Sequence, residues 1–291
     1  MKVKNEQFAG RYGPWAFIAG ASEGIGRSFA MQLAERGINL LLVARRAGPL
    51  EETAAEIRGR FGVQVVAHAL DLTADGLDPE IDRLVAGKEI GLLVYNAGAT
   101  HGAGLLLDQP IEKALDLVRL NCVGPLVLVH KLGQQMKAQG RGGIILMSSL
   151  SGLAGGAFIA TYAAAKSFEI VLAESLWYEF ATIGVDVLGL IAGATLTPAM
   201  LRSGMKFGGP GDDAAQPPPD GPTTNIVPMD PDDVAREALE HLGHGPIWVA
   251  GETNRASAAS LRSAPRNLVV EAMSAAVAQM YQLPLPERKR P

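Results

Sequence analysis

Short apolar runs recur along this chain, each followed by a longer stretch with apolar positions at helical spacing. The runs fall at residues 15–19, 39–44, 64–70, 91–95, 144–147, 185–191 and 247–250. Most are continuously apolar, the pattern of strands buried on both faces. Residues 25–36, 50–61, part of 74–86, 111–136, 162–182 and 231–242 read as the intervening helices. Strand and helix in alternation predict an α/β protein, a single doubly wound domain with a seven-stranded parallel sheet and helices on both faces. Such a sheet binds ligands at the carboxyl ends of its strands, where the strand order reverses. No internal repeat is visible.

Two regions depart from the pattern. Residues 204–228 (GMKFGGPGDDAAQPPPDGPTTNIVP) hold too many Gly and Pro for regular structure. They follow the sixth strand at the ligand end, so the stretch from about 198 to 228 is expected to be a substrate lid, with Met200, Met205 and Phe207 as its apolar residues. Residues 252–291 follow the last strand. Apolar spacing over 257–281 predicts helices packing on the body, residues 1–251, or on a neighbouring subunit.

Composition narrows the class. Hydrophobic content of 48% and 34 glycines suit a sheet with large buried faces and many tight turns. A net charge of −4 gives no basic footprint for nucleic acid. Cys122 is the single cysteine, which excludes an internal disulfide and fits a reducing compartment. Residues 1–10 lack an apolar signal core, and no run is long enough to span a membrane. A cytoplasmic protein without a membrane span is expected.

Two stretches carry chemistry. Gly20, Gly24 and Gly26 in AGASEGIG follow the first strand and open a helix. Glycine permits the tight turn, and backbone amides there can approach a pyrophosphate at the helix N-terminus. The spacing is G-x-x-x-G-x-G rather than the commoner G-x-G-x-x-G. The second stretch, 142–167, runs from an apolar strand ending at Ser149 into a helix carrying Tyr162 and Lys166. Residues four apart share a helix face, so phenol and ammonium can meet over one spot. A free tyrosine, with a pKa of about 10, is a poor acid or base at neutral pH. A nearby cation favours the phenolate and is expected to lower that value. Ser149 offers a neutral hydroxyl to a substrate oxygen. The three residue types suit proton transfer at an alcohol or carbonyl oxygen.

These motifs stand in one order with Asp71-Leu72, the YNAG of residues 95–98, Asn121, the YAAAK of residues 162–166, and Thr197. In that register the chain resembles a short-chain dehydrogenase/reductase of the compact, single-domain, Rossmann-type kind, over roughly residues 15–250. Ala19 stands where the family usually has Thr, and Ala192 where it usually has Pro before Gly193; neither removes a catalytic group. The resemblance implies that Tyr162 is the general acid/base and that Ser149 binds the substrate oxygen. It implies that Lys166 lowers the tyrosine pKa and holds the nicotinamide ribose, and that Asn121 holds a water linking Lys166 to solvent. It further implies cofactor contacts from Gly20, Ser22, Glu23, Gly24, Ile25 and Gly26 in the first turn. Asp71 would bond the adenine amino group, with Leu72 supplying a backbone contact. Asn96, Ala97 and Gly98 would floor the nucleotide site. Ala192, Gly193 and Thr195 would line the end of the sixth strand, and Thr197 would bond the nicotinamide carboxamide.

Cofactor choice is read after the second strand, where Arg45 and Arg46 follow Ala44. A guanidinium forks onto a 2′-phosphate and stacks on adenine, so NADP(H) is favoured over NAD(H). Glu23 near the same ribose is a contrary sign. The residues expected near the substrate are apolar or small: Leu150, Leu153, Ala154, Phe158, Met200 and Met205. The passage RYGPWAFIAGASEGIGRSFAMQLAERG looks like the opening of the 17β-hydroxysteroid dehydrogenase and long-chain 3-ketoacyl reductase branch. The expected reaction is therefore interconversion of a secondary alcohol and a ketone, with a steroid or similar hydrophobic molecule first and a 3-oxoacyl thioester second. A rival of another class is an NADP(H)-binding sensor or scaffold without turnover, which would tolerate loss of Tyr162 or Lys166. His241 and His244 lack a third metal ligand, His101 either lines the pocket mouth or is a loop histidine without a role, and no metal is expected. Helices 111–136 and 162–182 are apolar beyond one stripe, and in the family they build a subunit interface, so a homodimer or homotetramer is expected; light scattering reporting a monomer would sink that expectation.

Overall fold

The computed structural model describes residues 2–74, 76–98, 102–205 and 226–287. From the start, α1 (Lys2–Tyr12) leads through β1 (Trp15–Ala19), α2 (Gly24–Glu35), β2 (Asn39–Ala44), α3 (Ala47–Arg60), β3 (Val65–Ala69) and α4 (Leu77–Val85) to β4 (Ile90–Tyr95). Then come α5 (Ile111–Val118), a π-helical turn (Arg119–Val123), α6 (Gly124–Gln139) and β5 (Gly142–Ser149). The chain closes with α7 (Ala160–Ala181), β6 (Val185–Ala192), α8 (Pro198–Arg202), α9 (Pro231–His241), β7 (Ile247–Val249), α10 (Glu252–Ser263) and α11 (Arg266–Tyr281).

The seven strands pair in the order β3-β2-β1-β4-β5-β6-β7, all parallel. Successive side chains of a strand point to opposite faces, so continuously apolar strands need cover on both. One face buries Ile18, Leu40, Leu42 and Val94 with Phe29 and Leu33 of α2 and Val234 of α9. The other buries Phe17, Leu41, Val43 and Leu93 with Ile81 of α4, Leu128 of α6 and Leu176 of α7. The order reverses between β1 and β4, which opens a crevice at their carboxyl ends.

Three features differ from the pattern's expectation. The helix anticipated over 111–136 is α5 and α6 joined by the π turn. The extra residue in that turn bares a carbonyl, and the buried Tyr95 hydroxyl donates to Leu120 O. Helix α1 was not legible, because it has no full apolar stripe. It is held by Phe8 and Tyr12 against the core, and by Arg11 Nε and Tyr12 Oη donating to Asp186 Oδ2 at 2.6 and 2.8 Å. The tail packs on the body of its own chain: Val269, Met273 and Leu261 cluster with Ala154, and Val277 packs with Ile159 and Ala163. Ala157 N donates to Ser274 Oγ at 2.9 Å across that contact. Most of the expected lid, with Phe207, lies outside the described residues, as does His101.

Candidate active site

The first turn after β1 is sealed by close main-chain contact. Gly20 has a φ of +82°, and a Cβ there would lie 2.8 Å from Ala97 N. At Gly26 a Cβ would lie 2.0 Å from Gly20 O, so the turn admits no side chain. Gly20 N donates to Val43 O at 2.7 Å, and Asn96 Nδ2 donates to Gly20 O at 3.0 Å. The start of α2 is thereby fixed between the ends of β2 and β4, with its free amides toward the crevice.

Residues from six strand ends and the last two helices enclose one cavity of about 1070 Å³. At one end lie Ser22, Glu23, Gly24 and Ile25, with Arg45, Arg46, Asp71 and Leu72. Asn96, Ala97, Gly98, Ala192, Gly193, Thr195 and Thr197 line its middle with Ser149, Tyr162 and Lys166. Asp71 accepts from Thr73 N and Thr73 Oγ1, and these bonds hold its carboxyl below the usual range. Arg46 meets Glu23 at 2.6 Å, and Arg202 of α8 meets the same carboxylate. Burial alone would raise the Glu23 pKa, but the two guanidinium groups bring it below the ordinary value. Glu23 is thus held by Arg46 and Arg202. Thr197 caps α8, its Oγ1 accepting from Met200 N at 3.1 Å.

At the centre, Ser148 Oγ donates to Lys166 O at 2.7 Å and ties the end of β5 to α7. Lys166 is 4% exposed, with Nζ 5.9 Å from the Tyr162 ring centroid. Nζ donates to Met147 O at 2.8 Å and to the Glu169 carboxylate at 2.8 and 3.1 Å. Asn121 is fully buried in the π turn; its Nδ2 donates to Leu117 O, while Oδ1 has no protein partner. A Cβ at Gly98 would lie 3.0 Å from that oxygen and 3.1 Å from Lys166 Nζ, so glycine lets the amide and the ammonium crowd one spot. Asn121 does not itself line the cavity; its orphaned acceptor lies behind Gly98 and Lys166, which do.

The tyrosine departs from the simple expectation. Burial pushes the Tyr162 pKa up, and Lys166 and a hydrogen bond with Ser149 oppose the rise without cancelling it. Glu169 and Tyr281 push the same way as burial. The lysine's effect is in the expected direction, but its charge is shared with a carboxylate that the motif did not reveal.

Of the expected substrate residues, Ser149, Leu150, Tyr162, Met200 and Met205 line the cavity. Leu153 does not; it packs into clusters with Ala154 and with Ile170. Phe158 borders a separate small hollow with Leu117 and Pro110. The far wall comes instead from Leu261 of α10 and from Met273, Ala276, Val277, Met280 and Tyr281 of α11. Their spacing marked a helix, but no local signal says which surface a terminal helix covers. Among the described residues no group of His, Cys, Asp and Glu could hold a metal ion, and no helix is long and apolar enough to cross a membrane. His241 stacks on Trp248 at 3.4 Å between ring centroids.

Comparison with known proteins agrees with this geometry. The family model described as short chain dehydrogenase matches residues 14–205. The chain is 32% identical over 247 residues to a 7beta-hydroxysteroid dehydrogenase of Collinsella aerofaciens, covering 85% of this chain and 89% of that protein. It is 35% identical over 188 residues to a very-long-chain 3-oxoacyl-CoA reductase of Podospora anserina, covering 63% of this chain and 55% of that one. A structure from a study of 7beta-hydroxysteroid dehydrogenase stereoselectivity superposes with a TM-score of 0.81 at 29% identity, over 91% of this chain and 98% of that one. A short-chain dehydrogenase of Sphingobium yanoikuyae in complex with NADPH superposes with a TM-score of 0.70 at 28% identity, over 81% and 87%. With the strand order, the glycine turn and the Ser-Tyr-Lys centre already in place, the chain belongs to the short-chain dehydrogenase family, oxidoreductases that work with a nicotinamide cofactor.

Proposed function

We propose that this protein is an NADP(H)-dependent oxidoreductase that interconverts a secondary alcohol and a ketone on a bulky hydrophobic substrate, a steroid first. One observation carries the reading: a single cavity runs from Arg45 and Arg46, past Ser149, Tyr162 and Lys166, to an apolar wall of Met273, Val277 and Met280. The Arg45 guanidinium suits a 2′-phosphate, with Arg46 beside it paired to Glu23, and the amides at the start of α2 suit a pyrophosphate. Asp71 would take the adenine amino group, Lys166 the nicotinamide ribose and Thr197 the carboxamide. Bound there, the nicotinamide supplies a hydride to the carbonyl carbon or takes one from the carbinol.

The chain's own groups handle the oxygen. In reduction the C=O π bond opens as the carbon gains hydride, and Tyr162 gives its proton to the oxygen while Ser149 donates a hydrogen bond. The phenolate left behind faces Lys166 and is reprotonated from solvent, with Asn121 Oδ1 as an acceptor along that route. The low-dielectric site makes the fixed donors effective because they need no reorganisation as charge develops. A homodimer or homotetramer fits the exposed apolar residues Leu126, Val171, Trp177 and Tyr178 of α6 and α7. The likeness to 3-oxoacyl-CoA reductases supports a 3-oxoacyl thioester as the second substrate class.

The test is NADPH and NADH oxidation with steroid ketones, 3-oxoacyl thioesters and small polar ketones, with Tyr162→Phe alongside. We expect turnover of bulky ketones with NADPH, falling by about 100- to 10,000-fold in Tyr162→Phe with cofactor binding retained. Cofactor binding with no turnover in either direction would move the reading to a sensor, and activity on small polar ketones alone would defeat the substrate class.

A further inference from the structure

The catalytic lysine of this site has a buried carboxylate as its neighbour. Glu169 lies three residues after Lys166 on α7, is fully buried, and meets Nζ through both oxygens, at 2.8 and 3.1 Å. Burial pushes the Glu169 pKa up to about 7, with Lys166 opposing the rise. Above neutral pH it is therefore a buried carboxylate paired with the ammonium, and its position in an otherwise apolar helix segment calls for a reason beyond packing.

The groups around Glu169 leave Lys166 as its counter-charge. Lys166 and Tyr162 face it from α7, Tyr95 from β4 and Cys122 from the π turn. Tyr95 is a neutral phenol bonded to Leu120 O, and burial keeps the Cys122 thiol protonated. The ammonium therefore sits between two claims: a carboxylate at hydrogen-bond distance and the Tyr162 ring at 5.9 Å. Coulombic influence falls with distance, so the nearer negative charge cancels part of the field that would otherwise stabilise the Tyr162 phenolate.

We propose that Glu169 is a positioning residue for the oxidoreductase reaction, one that clamps Lys166 Nζ against Met147 O and limits how far the ammonium acidifies Tyr162, so that Tyr162 stays a proton donor to higher pH. The proposal rests on the assignment of Tyr162 as the acid/base. The direction of the tyrosine's shift agrees with it, since Glu169 acts against Lys166 there.

Glu169→Gln keeps the shape and removes the charge. The acidic limb of the pH profile of kcat/KM for alcohol oxidation should move to lower pH by about one unit, because the unopposed ammonium favours the phenolate. Glu169→Asp keeps the charge, and its limb should stay near that of wild type. An unmoved or upward-moving limb in Glu169→Gln overturns the proposal, even if the rate falls, because loss of rate alone is what a structural role produces. An equal shift in Glu169→Asp also overturns it. Should the Gln variant fail to fold, as judged by thermal melting, Glu169→Met is read the same way. Ultraviolet titration of tyrosinate, with the Tyr162→Phe trace subtracted, reads the same shift without substrate. If wild type turns over no ketone, the functional reading fails while this titration still decides the role of Glu169.

Discussion

At Gly20 and Gly26 the cavity wall is main chain: amides at the start of α2, a carbonyl bonded to Asn96, and positions where a single added carbon would collide with backbone. At the opposite end the wall is a set of side chains from α8, α10 and α11, with Met200, Met273, Val277 and Met280 meeting the space. The first wall is defined by what is missing and tolerates almost no change of residue. The second is defined by volume, and methionine fills irregular volumes by changing rotamer. A rigid cradle and an adaptable wall thus flank one Ser-Tyr-Lys centre. The reacting end must be held to a fraction of an ångström, whereas apolar recognition needs only area.

The largest break in this comparison should come from Gly26→Ala. A methyl 2.0 Å from Gly20 O forces the turn open, and overpacking of this kind costs about 1–3 kcal/mol. We expect NADPH affinity, followed by fluorescence, to fall about 10- to 100-fold, with a lower Tm. Arg45→Glu tests a side chain at the cradle end. Loss of a charge-assisted bond, worth about 1.5–3 kcal/mol, should lower the NADPH-to-NADH ratio of kcat/KM by about tenfold or more while leaving the fold intact. The smallest effect should come from Val277→Ala. Removing two methyl groups from the wall should raise KM for a bulky ketone about three- to tenfold and leave NADPH affinity unchanged. If Val277→Ala weakened NADPH as much as the ketone, the two walls would not be separate devices.

The same contrast explains what could be read in advance. Gly20, Gly24 and Gly26 were legible because a backbone demand dictates residue type, and Tyr162 and Lys166 because chemistry fixes their spacing on one helix. The parallel sheet was legible because strands covered on both faces must be continuously apolar. Helix α1 was not, since its hold comes from Arg11 and Tyr12 reaching Asp186, far away in sequence. Leu153 and Phe158 follow Ser149 closely in sequence, but Leu153 packs against the clusters of Leu261 and Ile170, and Phe158 against Ile159, Ala163 and Val277. Glu169 had a visible signal, an acid three residues from the motif lysine among apolar neighbours. Helical spacing places it near Lys166, but its pairing with Nζ appears only once burial is known.

Because the far wall is lent by α10 and α11, which follow the last strand, the proposed chemistry and the proposed choice of substrate reside on different stretches of chain. Substitutions in α10 and α11 that keep Val277 and Tyr281, which pack beside Tyr162, would reshape that wall without touching the turn at Gly20. Under the proposed function, the wall's shape can change while the Ser-Tyr-Lys centre keeps its place.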